Sequence, residues 1–139
     1  MNSIEFELDK LDREYNINSG GCCFVAYLLA RELEKRHIRF KLRIYDYCLE
    51  GKKLEIRKAI KNRTYYDDYS SCNHYALLIG EEVINVADYV DGDRCIDLGC
   101  INSSDIKYLY DKGRWNKTYK PGDNKEVESL IKQICNDNW

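Results

Sequence analysis

Two adjacent cysteines and a distant histidine are the residues of this sequence best suited to covalent chemistry. Cys22 and Cys23 follow a glycine pair, and His74 is followed by Asp88 within one expected hairpin. A thiolate attacks a carbonyl carbon, and an imidazole exchanges the proton that this reaction moves. A carboxylate behind the imidazole fixes its tautomer and stabilises the imidazolium. These residue types therefore predict acyl transfer, with one of the two cysteines as nucleophile, His74 as its proton-exchanging partner and a carboxylate or amide to orient the imidazole.

The two cysteines are expected in the first turn of a buried helix. Asn18 and Ser19 are strong N-cap residues, and no charged residue occurs from Cys22 to Ala30. A helix that is apolar on every side is wrapped by its own fold. Because a helix N-terminus favours negative charge, we expect the pKa of a thiol there to be lowered. The alternative interpretation is that both cysteines are small core residues.

The loop of the hairpin decides which side chain can orient His74. A three-residue loop, Gly80–Glu82, makes Asp88 the direct cross-strand neighbour of His74. A two-residue loop, Gly80–Glu81, turns Asp88 to the other face and brings Asn85 to the face of His74, diagonal to it. Asp88 is the first choice and Asn85 the reserve. The competing interpretation is a histidine that only fills the core.

An acyl-transfer site also needs hydrogen-bond donors for the oxyanion. The backbone amide of the nucleophile, at the N-terminus of the helix, is one expected donor. Asn16 and Asn18 are the candidate side chains for a second donor, because both lie shortly before Cys22.

Two stretches of the chain resemble the transglutaminase-like and papain-like cysteine enzymes. The first is similar to their nucleophile helix and reads Gly20-Gly21-Cys22-Cys23-Phe24-Val25-Ala26. The second, from His74 to Asp88, is similar to their histidine strand and the acid that follows it. The resemblance implies Cys22 as nucleophile, His74 as base, Asp88 as the orienting acid, and Asn16 at the position of an oxyanion amide.

Cys23 stays open as the alternative nucleophile. An aromatic residue often follows the nucleophile of these enzymes directly, which fits Phe24 after Cys23, whereas an alanine four residues later fits Ala26 after Cys22. The chain looks like the compact versions found in bacteria and their phages. The resemblance implies a papain-like fold and a cysteine peptidase, amidase or acyltransferase. Such an enzyme acts on a protein or peptide substrate without a cofactor.

Periodicity and turn residues predict an α+β fold in which peripheral helices surround a central buried helix that packs against an antiparallel sheet. The central helix is expected from Cys22 to about His37. The other predicted elements are a helix over 2–15, a strand over 38–45, a short helix or charged hairpin over 54–62, strands over 72–79, 83–89 and 94–98, and helices over 103–110 and 123–134. By length, residues 1–139 form one domain.

Composition narrows the class of protein. The net charge of -2 gives no reason to expect nucleic acid or an acidic membrane surface as partner. The acidic N-terminus has no apolar run typical of a signal peptide, so reduced thiols and a cytoplasmic location are expected. No apolar run is long enough to span a membrane.

Two alternatives to an enzyme follow from the same residues. A non-catalytic protein could keep the fold and bind a partner through a tyrosine-lined groove, for example a phage protein that acts on its host. A thiol-rich metal-binding domain is the other alternative, but the seven cysteines include no Cys-x-x-Cys pair, so no metal site is predicted.

Overall fold

A helix buried around its whole circumference lies at the centre of the fold. The computed structural model describes residues 3–15, 22–45, 51–65, 74–84, 95–99, 101–112 and 124–139. Within the central helix, α2 (Cys22–Lys35), every residue from Cys22 to Ala30 is buried except Tyr27, which is partly exposed. The prediction of a fully wrapped helix that begins at Cys22 is confirmed.

Four further helices in the described part of the chain surround α2. They are α1 (Ser3–Tyr15), α3 (Lys53–Lys61), α4 (Ser103–Lys112) and α5 (Lys125–Asn138). The main packing contacts join the helices in the order α3, α4, α2, α5, α1, and α2 also contacts the sheet. Buried Ile4, Leu8 and Leu11 form the inner stripe of α1, as its periodicity predicts. The stretch 54–62, predicted as a helix or a hairpin, is helical as far as Lys61, where α3 ends.

The described strands form one antiparallel sheet. Its strands are β1 (Lys41–Tyr45), β2 (His74–Ile79), β3 (Glu82–Ile84) and β4 (Cys95–Asp97), in the order β3-β2-β1-β4. The prediction of β2 as a central strand is confirmed, because β2 has a neighbour on each side and is buried along nearly its whole length. The architecture of the described residues is therefore α+β.

Side-chain alternation divides β2 between two faces of the sheet. Tyr75 and Leu77 belong to the same core cluster as the buried residues of α2. His74, Ala76 and Leu78 are also buried, but they lie on the opposite face and outside that cluster. The central strand is thus covered on both sides.

The hairpin of β2 and β3 has a two-residue loop. Ile79 pairs with Glu82 and Leu77 with Ile84, so only Gly80 and Glu81 lie between the strands. Gly80 has a φ of +64°, and glycine at the first position of a two-residue loop is typical of a type II′ turn. The expected three-residue loop is therefore wrong, and the described pairs have the register of the two-residue alternative.

Helix α4 begins at Ser103, as predicted, whereas α5 begins later than predicted. The Asn102 side chain caps α4 by accepting a hydrogen bond from the Asp105 amide, and the Asp105 carboxylate accepts one from the Asn102 amide. Helix α5 begins after Asn124 rather than at residue 123. None of the helices in the described residues is both long and apolar enough to cross a bilayer.

Candidate functional site

The Cys22 sulfur lies at the beginning of α2 and beside the first residues of β2. Its Sγ accepts a hydrogen bond from the backbone N–H of Tyr75, and its own backbone N–H also favours the thiolate. A strand N–H points sideways, toward the position of a neighbouring strand, rather than up from the sheet face. The sulfur therefore lies to the side of β2, next to the peptide bond that joins His74 to Tyr75.

The Cys22 thiol is strongly stabilised in its neutral form. Burial and the nearby negative charge of Asp12 raise the pKa of Cys22 to about 12, against the smaller lowering effect of the two backbone N–H groups. The expectation of a lowered thiol pKa is wrong. Burial away from water destabilises the thiolate more than the helix N-terminus stabilises it, because the helix dipole contributes only about 1 kcal/mol or less.

Cys23 faces a different part of the core. Its side chain is fully buried, and its thiol donates a 3.8 Å hydrogen bond to the carbonyl oxygen of Ile106 on α4. The helix thus directs the two adjacent thiols to different neighbours, Cys22 toward β2 and Cys23 toward α4.

His74, the first residue of β2, is fully buried. It pairs with Tyr45 of β1, and the two rings are tilted with their centroids 5.5 Å apart. Because side chains alternate along β2 and Tyr75 and Leu77 belong to the core cluster of α2, the imidazole leaves β2 on the opposite face. The structure therefore brings the Cys22 sulfur to the backbone at His74, while the imidazole extends along the Tyr45 face.

The remaining predicted site residues lie outside the described part of the chain. These are the orienting candidates Asp88 and Asn85 and the oxyanion candidates Asn16 and Asn18. The observed two-residue loop is the case for which we expect Asn85, rather than Asp88, to share the face of His74.

Sequence reasoning did not identify two neighbours of the site. Asp12 on α1 acts electrostatically on Cys22, and Tyr45 packs against His74. Asp12 follows Leu11, which belongs to the buried stripe of α1, so its position next to the core could be inferred. Its proximity to Cys22 depends on how α1 docks, which the periodicity of one helix does not specify.

No group of three or more histidine, cysteine or acidic side chains among the described residues could hold a metal ion. Comparison with protein-family models, with curated proteins and with solved structures found no match to this chain. Arguments about function therefore come from the residues themselves.

Proposed function

We propose that the chain is a cysteine-dependent acyl-transfer enzyme with a papain-like arrangement, a peptidase or amidase that acts on a protein or peptide substrate in a bacterial or phage-infected cytoplasm. One observation carries the proposal. The sulfur at the first residue of the buried helix accepts the Tyr75 N–H and so lies one peptide bond from a buried histidine. The hydrogen bond of Cys23 to α4 supports Cys22 as the nucleophile.

The proposed reaction requires the His74 imidazole to reach the Cys22 sulfur around the edge of β2, and His74 then takes the thiol proton as the sulfur attacks the substrate carbonyl carbon. The sulfur–carbon bond forms, the carbon–nitrogen bond breaks, and His74 returns the proton to the leaving amine. Water then attacks the thioester carbon and gives a proton to His74, the carbon–sulfur bond breaks to release the acid, and His74 passes the proton to the leaving sulfur. A pKa near 12 favours this concerted proton transfer over a thiolate–imidazolium pair that exists before substrate binds. Asn85 is the preferred orienting residue, and Asp88 is the alternative.

The test is acylation by a small activated ester such as p-nitrophenyl acetate, followed by intact-mass measurement and peptide mapping. We expect one acyl group on Cys22, none in Cys22→Ser, and a rate at least about 100-fold lower in His74→Gln. Cys135→Ser is the matched control, because Cys135 is a buried cysteine far from β2 in the chain, on α5. Thermal melting verifies that each variant is folded.

A second function is favoured by the raised pKa of Cys22 and by the position of the imidazole on the Tyr45 face. In this version the fold is catalytically inactive and serves as a protein-binding module. It predicts equal, slow acylation of wild type and His74→Gln. That result, in folded protein, would contradict the enzyme proposal.

A further inference from the structure

One exposed stripe on α3 combines a leucine with three cations. Leu54, Arg57, Lys58 and Lys61 follow the i, i+3, i+4, i+7 spacing of one helix face, and we name them the α3 stripe. All four are exposed, and Leu54 is 79 % exposed. Among the described residues, no carboxylate forms an ion pair with any of the three cations.

Like charges lie close together in the α3 stripe. Arg57 and Lys61 are four residues apart and Lys58 and Lys61 three apart, and like charges at these spacings repel. The helix dipole favours Lys58 and Lys61 in the last turn, but it does not remove their mutual repulsion. A complementary surface that supplies negative charge would relieve this repulsion.

A groove between α1 and α5 has an apolar floor and an acidic rim, and so complements the α3 stripe in both respects. Its volume is about 220 Å³, and its apolar floor is formed by Leu11, Leu130 and Ile134. Hydrogen bonds between the two helices close both ends. Tyr15 donates to Glu126 at one end, and Asn138 donates to Glu7 at the other.

The rim of this α1/α5 groove is mainly acidic. Glu7, Glu14 and Asp137 line it, against the single cation Lys10. The groove therefore presents three carboxylates around an apolar floor, as the α3 stripe presents three cations beside an exposed leucine.

Leu54 is the most exposed of the three exposed large hydrophobic side chains among the described residues, and it belongs to the α3 stripe. The other two, Phe6 and Trp139, adjoin Glu7 and Asn138 in sequence but do not line the groove.

The two surfaces belong to opposite ends of the series of packed helices. Helix α3 is the first and α1 the last in the packing order α3, α4, α2, α5, α1. One copy is therefore not expected to fill its own groove. We propose that the α3 stripe of one copy docks in the α1/α5 groove of a second copy, which forms a head-to-tail contact with Leu54 over the apolar floor.

The test is the weight-average mass by sedimentation or light scattering, from about 10 µM to about 1 mM, because a small interface gives weak association. We expect the mass to rise above the 16.4 kDa of one chain with concentration and to fall as salt screens the charges. A mass that stays at one chain over the whole range at low salt would overturn the proposal.

Charge-reversal variants test the contribution of each surface to association separately. We expect K58E/K61E on the α3 stripe and E14K/D137K at the groove each to remain monomeric. The control K125E/K132E changes the net charge of the chain as much as the stripe variant does, but lies outside both surfaces and should associate like wild type. Leu54→Ser, which leaves the charge unchanged, should weaken association about tenfold or more.

An equimolar mixture of the two charge-reversed variants gives the sharpest result. Each pair of molecules then retains one intact stripe and one intact groove, and the reversed stripe also meets a groove of opposite charge, so we expect the mass to rise above that of either variant alone. A mixture that remains monomeric, or a single variant that dimerises by itself, would contradict the head-to-tail contact.

Discussion

At the scale of single residues, the pKa of Cys22 reflects a competition between burial and hydrogen bonding. Two backbone N–H groups favour the thiolate, while burial and Asp12 favour the thiol, and the second pair prevails. Burial alone can move a pKa by several pH units, whereas a helix N-terminus contributes roughly one or less. The resting protein therefore holds a neutral thiol at this position.

Removal of the Asp12 charge should make Cys22 more reactive. Asp12→Asn takes away a negative charge that opposes the thiolate, so the pKa of Cys22 falls and its alkylation by iodoacetamide at pH 8 accelerates about threefold to tenfold. Asp9→Asn on the same helix is the matched control. Equal acceleration in both variants would show that general helix loosening, rather than local charge, is responsible.

The sequence was sufficient to select Cys22 and His74 as the residues to examine, but not to place them relative to each other. Residue type and an expected first helical turn identify a nucleophile. The face on which His74 emerges depends on strand pairing, and the observed partner is Tyr45, about thirty residues earlier in the chain. Single-strand alternation predicts that two faces exist, but not which face meets α2.

At the scale of elements, the buried helix α2 provides much of the core. Leu29 is 1 % exposed, so Leu29→Ala should leave a cavity and lower the free energy of unfolding by about 2–5 kcal/mol. Leu54→Ala makes the same chemical change on exposed α3 and should alter stability by no more than about 0.5 kcal/mol. Urea unfolding of dilute protein measures both, and similar losses would contradict the central role of α2.

Strand β4 is joined to β1 by a side-chain ion pair as well as by backbone pairing. Arg43 Nε donates to Asp97 Oδ1 at 2.6 Å, and Arg43 lowers the pKa of Asp97. Both side chains remain partly exposed, so a double-mutant cycle with Arg43→Gln and Asp97→Asn should give a coupling of about 0.5–1 kcal/mol at pH 7.

The coupling between Arg43 and Asp97 should disappear in acid. The folded-state pKa of Asp97 lies below its ordinary value of 3.8, so the contribution is present above that value and is lost as pH falls through the folded pKa. A coupling that stays constant down to pH 3 would exclude this ion pair as its source.

Helices and the central strand follow from periodicity, whereas the hairpin register depends on turn chemistry. Residues 22–30 and 74–79 contain long apolar patterns with a clear interpretation. The loop was misjudged by one residue because Gly80-Glu81-Glu82 looks like a polar turn of three. The Gly-x pattern of a type II′ turn was the available signal, and a one-residue change in loop length exchanges the faces of all the side chains in the following strand.

At the scale of the whole molecule, stability should decline in alkali. The pKa values of Cys22 and Cys135 are raised by burial, to about 12 and about 11, from an ordinary value of 9.0. Below pH 9 both thiols are neutral in the folded and unfolded chains. Above it the unfolded chain loses these protons first, so each thiol lowers the free energy of unfolding by up to about 1.4 kcal/mol per pH unit.

Urea unfolding at intervals between pH 8 and pH 10.5 measures this decline. The variant C22A/C135A should show a shallower loss of stability, although its stability at pH 8 is also reduced by the smaller side chains. Parallel pH profiles for wild type and variant would show that other groups cause the alkaline loss.

The order of the strands also affects how the protein is made. Residues 41–45 pair with 74–78 and 95–97, so β1 leaves the ribosome well before either of its neighbours has been synthesised. Until then the apolar side chains of α2 and β1 have no sheet to cover them, and nascent chains in this condition are prone to aggregate. Fragments that end before residue 74 should therefore depend on chaperones, and fragments that extend past residue 97 should depend on them much less.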